Sequence, residues 1–337
     1  MAVKAMTDHV GVDFVVPPPT SARTLSLGTR YSPEGICLPF KITLGNMIEA
    51  LELGADTVLM TGGNYGCRFG YYHRVQETIL RDLGYRFTML TQGLGIVNML
   101  KQITGGAPLR KVIAGFRFGV AKLKALEGLE QATHKIRPVA QDKGRVSQIQ
   151  KSAFEAIGDA GDFQTVKRIR QQYLQDLTDL PTIPPYQPLR IGITGEFFVV
   201  IDSYANMDMK TELGRLGAEV CCPISLGNWV TFNPFAVLHA LREKNRAHEA
   251  AKPYLSGTVF GDGWQSVGEK VMHATDWDEL IHLEPFGCLP EVIARNIMPS
   301  TKEELPVLNL ILNENTGKAG VIARLEAFVD MLHRKKR

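Results

Sequence analysis

The chain has 337 residues, 45% of them hydrophobic and 22% charged, with a formal net charge of +3 at pH 7. So small an imbalance gives no electrostatic ground for a nucleic-acid partner, and no apolar run approaches the roughly eighteen residues of a membrane span. At about one to two hundred residues per domain, the length suits two domains or three.

Residues 1–16 carry charges among short apolar pieces without a signal-peptide core, so a cytoplasmic protein is expected. After Pro17-Pro18-Pro19, which fit neither helix interior nor central strand, the pattern becomes strand, loop, helix, repeated. Residues 24–29 read as a strand, 31–40 as a loop, and 41–53 as a helix that Gly54 stops. A strand at 57–60, a loop at 61–66, a helix at 68–83 ended by Gly84, and a strand at 85–90 follow. Short buried strands alternating with helices predict a parallel sheet covered on both faces.

Strand signals vanish between 105 and 180, where 112–132 and 146–177 read as long polar-faced helices. Pro181, Pro184, Pro185 and Pro188 then punctuate the chain stiffly. Behind them the alternation resumes. Strands are predicted at 189–194, 218–222, 279–283 and 307–312, and helices at 207–216, 235–250, 264–274, 291–297 and 321–332. This divides the chain into a first α/β domain (1–104), a helical insert and linker (105–188) and a second α/β domain with a closing helix (189–337). Cys37-Leu38-Pro39 is echoed by Cys288-Leu289-Pro290, and Leu44-Gly45-Asn46 by Leu226-Gly227-Asn228. Duplication of one unit explains both echoes; chance repetition is the alternative.

Five cysteines, an odd count with no C-x-x-C pair, do not form the framework of a small secreted domain. They are buried inert thiols, reactive thiols, or ligands gathered from distant loops. Three share one context. Cys37, Cys67 and Cys288 each stand in a loop leading into a helix, flanked by Gly or Pro. In an open parallel sheet the strand-to-helix loops emerge at the carboxyl edge, where ligands bind. A helix N-terminus lowers a thiol's pKa and favours anionic groups. Three thiolates meeting in one crevice suit an iron–sulfur cluster or zinc. Cys221 is expected to point into the sheet, leaving Cys222 to face either the core or the same crevice.

Other chemistry is poorly represented. The glycine-rich stretch 62–68 lacks the Lys-Ser/Thr of a phosphate loop, and 93–98 lacks the third glycine of a dinucleotide fingerprint. Residues 263–268 miss a nucleophile elbow by one position. His73, His273 and His282 are scattered, and the basic tail 334–337 reads as solvated charge at a helix end. Near the cysteines, Arg68 could offset cluster charge, Tyr71, Tyr72 and His73 could donate hydrogen bonds, and Glu34, Glu284 and Glu291 are costly unless protonated or paired. Glu291, after Pro290, reads most simply as a first-turn helix acid.

Several blocks in order resemble one family: 33–41 with Leu44-Gly45-Asn46, 66–72 with Val75-Gln76, Gly195-Glu196-Phe197-Phe198 with Asn206, 282–291, and Thr316-Gly317 with 324–328. Over 15–332 the chain resembles the 2-hydroxyacyl-CoA dehydratase component D superfamily, and within it the stand-alone acyl-CoA dehydratase activase-related (CoA protein activase) proteins. The resemblance implies two Rossmann-like parallel-sheet domains joined by the helical insert, with a 4Fe-4S cluster in the cleft between them. Cys37, Cys67 and Cys288 match the family's cluster ligands, leaving one iron without a cysteine. An ATP-hydrolysing, actin-like activase with its own cluster is the implied partner, within a homodimer or heterodimer. The implied chemistry is reductive or radical, on a CoA thioester or a small molecule. Two other readings stand beside it: a non-catalytic metal-binding scaffold for an activase, and a thiol-dependent CoA-ester transferase with Cys67 as nucleophile.

Overall fold

The computed structural model describes residues 1–60, 67–91, 102–183, 187–227, 246–255, 257 and 261–336. The expected loop at 61–66, most of the stretch at 62–68, the segment 93–98, Pro184, Pro185, Asn228 and the 235–245 part of a predicted helix lie outside these residues.

Helix α1 (Ala2–Val10) is followed by α2 (Ala22–Tyr31) and α3 (Leu38–Glu52). The strand expected at 24–29 is therefore wrong: those residues lie inside α2. The reason is local. Ser21 and Thr24 form a reciprocal capping box, with the Ser21 side chain accepting from Thr24 N and the Thr24 hydroxyl accepting from Ser21 N at 3.1 Å. Thr24 Oγ1 also donates to Glu49 Oε2 on α3 at 2.7 Å. The most deeply buried positions are thus Thr24 and Gly28, while Leu25 and Leu27, whose alternation resembles a strand, are half-buried against two different cores.

The two helices cross with backbones almost touching. A Cβ at Gly28 would lie 1.7 Å from the Lys41 carbonyl oxygen, and one at Gly45 would lie 1.9 Å from that of Thr24. Because the obstruction is backbone, the helices must separate to accept it. Gly28→Ala is expected to cost about 3 kcal/mol, the upper end of ordinary overpacking, measured as a shift in the urea midpoint. A loss below about 1 kcal/mol would show that α2 shifts freely.

Strands β1 (Thr57–Leu59) and β2 (Thr88–Leu90) pair in parallel with Thr57 opposite Thr88. Between them a 3₁₀ turn (Arg68–Tyr71) runs into α4 (Tyr72–Asp82). Gly54 and Gly84, in left-handed conformation, end α3 and α4 as expected. Among the described residues this first sheet has two strands.

The middle of the chain is helical: α5 (Leu109–Ile136), α6 (Lys143–Asp159) and α7 (Phe163–Thr178). The single helix expected at 146–177 is in fact these last two, because Asp162 starts a new one by accepting from Thr165 N at 2.9 Å. Their core, which includes Phe118, Leu129, Val146, Ile157 and Leu177, also takes Ala5 from α1.

The remaining elements are β3 (Leu189–Gly195), α8 (Phe197–Ile201), α9 (Met209–Arg215), β4 (Ala218–Cys221), α10 (Gly263–Met272), β5 (Glu279–Pro285), α11 (Leu289–Ile297), β6 (Val307–Leu312) and α12 (Lys318–Lys336). The four strands form one parallel sheet in the order β4-β3-β5-β6. The chain steps from β3 outward to β4, then returns to the other side of β3 as β5. That reversal makes the carboxyl ends of β3 and β5 a topological switch point, where open α/β sheets bind ligands.

Helix α3 belongs to two cores. Leu38 and Ile42 pack into the core of the four-stranded sheet, while Phe40, Leu44, Met47 and Ile48 pack with Val58 and Leu80 beside the first sheet. Lys41, its side chain only 6% exposed, pairs with Glu314 at 2.5 Å. Among the described residues no helix is long and apolar enough to cross a membrane.

Candidate metal centre

Each of the three singled-out cysteines stands where a helical segment begins. Cys37 is the N-cap of α3, Cys288 that of α11, and Cys67 directly precedes the 3₁₀ turn at Arg68. The Cys-Leu-Pro echo has a structural meaning: in both copies the cysteine caps, leucine opens the helix and proline follows. Proline is tolerated there because first-turn N–H groups have no intrahelical acceptor. The second echo, Leu44-Gly45-Asn46, lies within α3, and its partner runs beyond the described residues.

Cys37, Cys67 and Cys288 line one cavity of about 570 Å³. Arg68, Tyr72 and Glu196 supply its other polar groups; Phe69, Leu289, Val292 and Ile293 supply apolar wall. All five cysteines are free thiols. Cys221 and Cys222 instead line a second cavity of about 430 Å³ with Glu130, His134 and Lys210. Cys222 therefore does not look into the crevice of the trio.

Burial pushes the Cys37 thiol up against the opposing hydrogen bond from Tyr72. It likewise raises Cys67 against the backbone N–H groups of Phe69 and Gly70. Cys288 is pushed far above the ordinary thiol range, by burial first and then by the charge of Glu291. The expectation that helix N-termini lower these pKa values is thus overturned, since desolvation of the thiolate outweighs the helix ends. A metal entering the site must displace thiol protons, which makes uptake pH-dependent.

Of the three side chains expected after Arg68, only Tyr72 reaches the cavity. Its hydroxyl and the Cys37 thiol share a hydrogen bond, and its ring stands edge-on to Phe40 at 5.0 Å and Phe69 at 5.4 Å. Burial, then the neighbouring Cys37, keep the phenol protonated. Tyr71 is 72% exposed, and His73 is buried with its Nδ1 lacking a partner.

Of the carboxylates, Glu34 is exposed. Glu284 is buried beside Arg295 at 3.2 Å, and burial raises its pKa. Glu291 lies in the first turn of α11 as expected, but it is fully buried rather than solvated. Its Oε2 accepts from Ser266 Oγ at 2.8 Å and meets His282 Nε2 at 2.7 Å, while His282 Nδ1 faces Asn309 Oδ1 at 3.0 Å.

Glu196 was not singled out from sequence, although it stands in the Gly-Glu-Phe-Phe block. It caps α8 by accepting from Val199 N at 3.0 Å at the carboxyl end of β3. Burial, then the charge of Asp262, push its pKa up to about 8. The native protein thus holds a proton there that the unfolded chain loses near 4.5, and stability falls as pH rises through that window. His134 acts oppositely. Burial lowers it from 6.5 to about 4, so its contribution is lost as pH falls through that range. As pH rises above 6.5 the opposing His134 contribution fades and the Glu196 slope remains. Glu196→Gln is expected to remove a decline of about 2 kcal/mol between pH 6.5 and 8, read from urea midpoints of metal-free wild type and variant. Equal declines in both would show that Glu196 ionises normally.

Among the described residues, no three His, Cys, Asp or Glu side chains are gathered closely enough to hold a metal ion. A lone zinc, with bonds of about 2.3 Å, draws its thiolates close together. A four-iron cluster asks for something wider, because each thiolate meets a different iron. Cys37, Cys67 and Cys288 line the wall of one cavity, and thiolate is the donor that such clusters select. No protein family matches the chain, and no curated protein matches its sequence.

Proposed function

We propose that this chain is an iron–sulfur protein that binds a 4Fe-4S cluster through Cys37, Cys67 and Cys288 in the cleft between its two α/β halves. In the same reading it is a cytoplasmic protein that receives low-potential electrons from an ATP-hydrolysing, actin-like activase. The observation that carries the reading is the single cavity at the switch point, lined by three cysteines that are far apart in sequence.

When bound, the cluster would supply one-electron reducing power, with one iron free of thiolate because three cysteines serve four metals. The chain's own residues set the surroundings. Tyr72 donates to a cysteine sulfur, a second-layer hydrogen bond of the kind that tunes cluster potential. Glu196 presents a carboxyl that is protonated at neutral pH, so it adds no negative charge beside an anionic centre. Phe69, Leu289, Val292 and Ile293 give the cavity an apolar wall that lowers the local dielectric and excludes water. These features suit reductive or radical chemistry on a CoA thioester or a small molecule.

Iron and acid-labile sulfide analysis, with electron paramagnetic resonance, on protein prepared without oxygen tests the reading. The expected protein is brown, with about four irons and four sulfides per chain. A colourless protein whose thiols all titrate under native conditions after anaerobic reconstitution would end it.

A further inference from the structure

Arg68 makes a set of contacts that the cluster reading does not use. It follows Cys67, and its Nη1 donates to the carbonyl of Gly35 at 3.0 Å while its Nη2 donates to the carbonyl of Gly287. Gly35 precedes Cys37 by two residues, and Gly287 directly precedes Cys288. Both glycines are left-handed, with φ of 69° and 77°. A Cβ at Gly287 would stand 3.2 Å from the Gly35 oxygen and 3.3 Å from Arg68 Nη2. The two loops thus approach closely, and one planar guanidinium bridges them with separate donors.

We propose that Arg68 is a positioning residue that assembles the three-thiol array before any inorganic centre arrives, by tying the loops of Cys37, Cys67 and Cys288 to one guanidinium. Its purpose rests on the cluster reading; its geometry does not. Three loops moving independently would each lose freedom when a metal binds, whereas loops already tied lose less. The two halves do not depend on this tie for their union, because Leu38, Ile42 and the Lys41–Glu314 pair hold α3 against the four-stranded sheet. Removing the guanidinium should loosen the cysteine loops and leave the fold standing. Lysine does not replace it, since its ammonium is a point charge without the rigid fork.

The test uses the metal-free full chain, with Arg68→Ala and Arg68→Lys beside wild type. Iodoacetamide labelling at Cys67, resolved by peptide mass, is expected to quicken about ten-fold or more, because the variant loses both charge-assisted hydrogen bonds of the guanidinium. Hydrogen exchange over 33–38 and 285–290 should rise with it, while the melting temperature stays nearly constant. Unchanged labelling and unchanged exchange in Arg68→Ala overturn the proposal. If that variant fails to fold, Arg68→Lys decides on the same two readouts. Uptake of ferrous iron and sulfide is then followed in wild type and Arg68→Lys. Slower uptake by the variant supports the positioning role, and equal rates overturn it. A wild type that takes up no iron ends the cluster reading, while the labelling still decides whether the tie exists.

Discussion

Serine at position 37, 67 or 288 is expected to reduce bound iron from about four atoms per chain to less than one, whereas Cys221→Ser keeps the full complement. The contrast follows from placement. The first three thiols line the same cavity, and Cys221 lines another. Serine preserves size but offers a hard, weakly acidic oxygen where iron–sulfur clusters select thiolate. Two remaining thiols would leave half of the proposed cluster's four irons without a cysteine. Cys37 is 7% exposed and packed in the apolar core beside the first sheet, so its variant needs a thermal melt to separate lost ligation from lost fold. Retention of iron by the triple serine variant would remove these sulfurs from the site altogether.

His282→Ala is expected to destabilise the protein by about 3 kcal/mol, because it leaves a cavity and strands a buried Glu291 oxygen without its partner. Both side chains of the His282–Glu291 pair have 0% exposure. Among the described residues Glu291 Oε1 has no hydrogen-bond partner, so losing His282 leaves the side chain with Ser266 alone. The disturbance also reaches the candidate centre, because Glu291 lies in the first turn of the helix that Cys288 caps. Replacing the pair together, as His282→Leu with Glu291→Met, should cost much less, since an apolar pair of similar size strands no buried polar group. Urea denaturation of both variants at pH 7 makes the comparison. A single-variant loss below about 1 kcal/mol would show that solvent relieves the orphaned group.

Much of the larger sheet is legible in the chain. Strands β3, β5 and β6 are bounded by turn residues, and their apolar runs survive polar insertions such as His282 and Glu284. The three cysteine loops are legible because glycine, proline and cysteine recur together before helical patterns. Helix α2 is not legible, because its most buried positions, Thr24 and Gly28, carry no hydrophobic signal and its half-buried Leu25 and Leu27 alternate like a strand. The break between α6 and α7 rests on one capping aspartate within a continuous helical pattern. Strand order is a tertiary property, so the switch point that places Glu196 opposite Cys288 has no local trace. Glu196 escapes notice for that reason: in sequence it stands far from every cysteine that shares its cavity.

Helix α3 straddles two cores, and this decides which sulfur can wander. Its first turn, with Cys37 at the cap, is pinned by Leu38 and Ile42 to the larger sheet, the body that also carries Cys288. Cys67 sits on a separate segment, reaching that body through its neighbour's guanidinium. Cys37 is therefore held from both sides, by the larger sheet through Leu38 and Ile42 and by Tyr72 and the core beside the first sheet, so of the three sulfurs it is the one least free to shift if the halves separate.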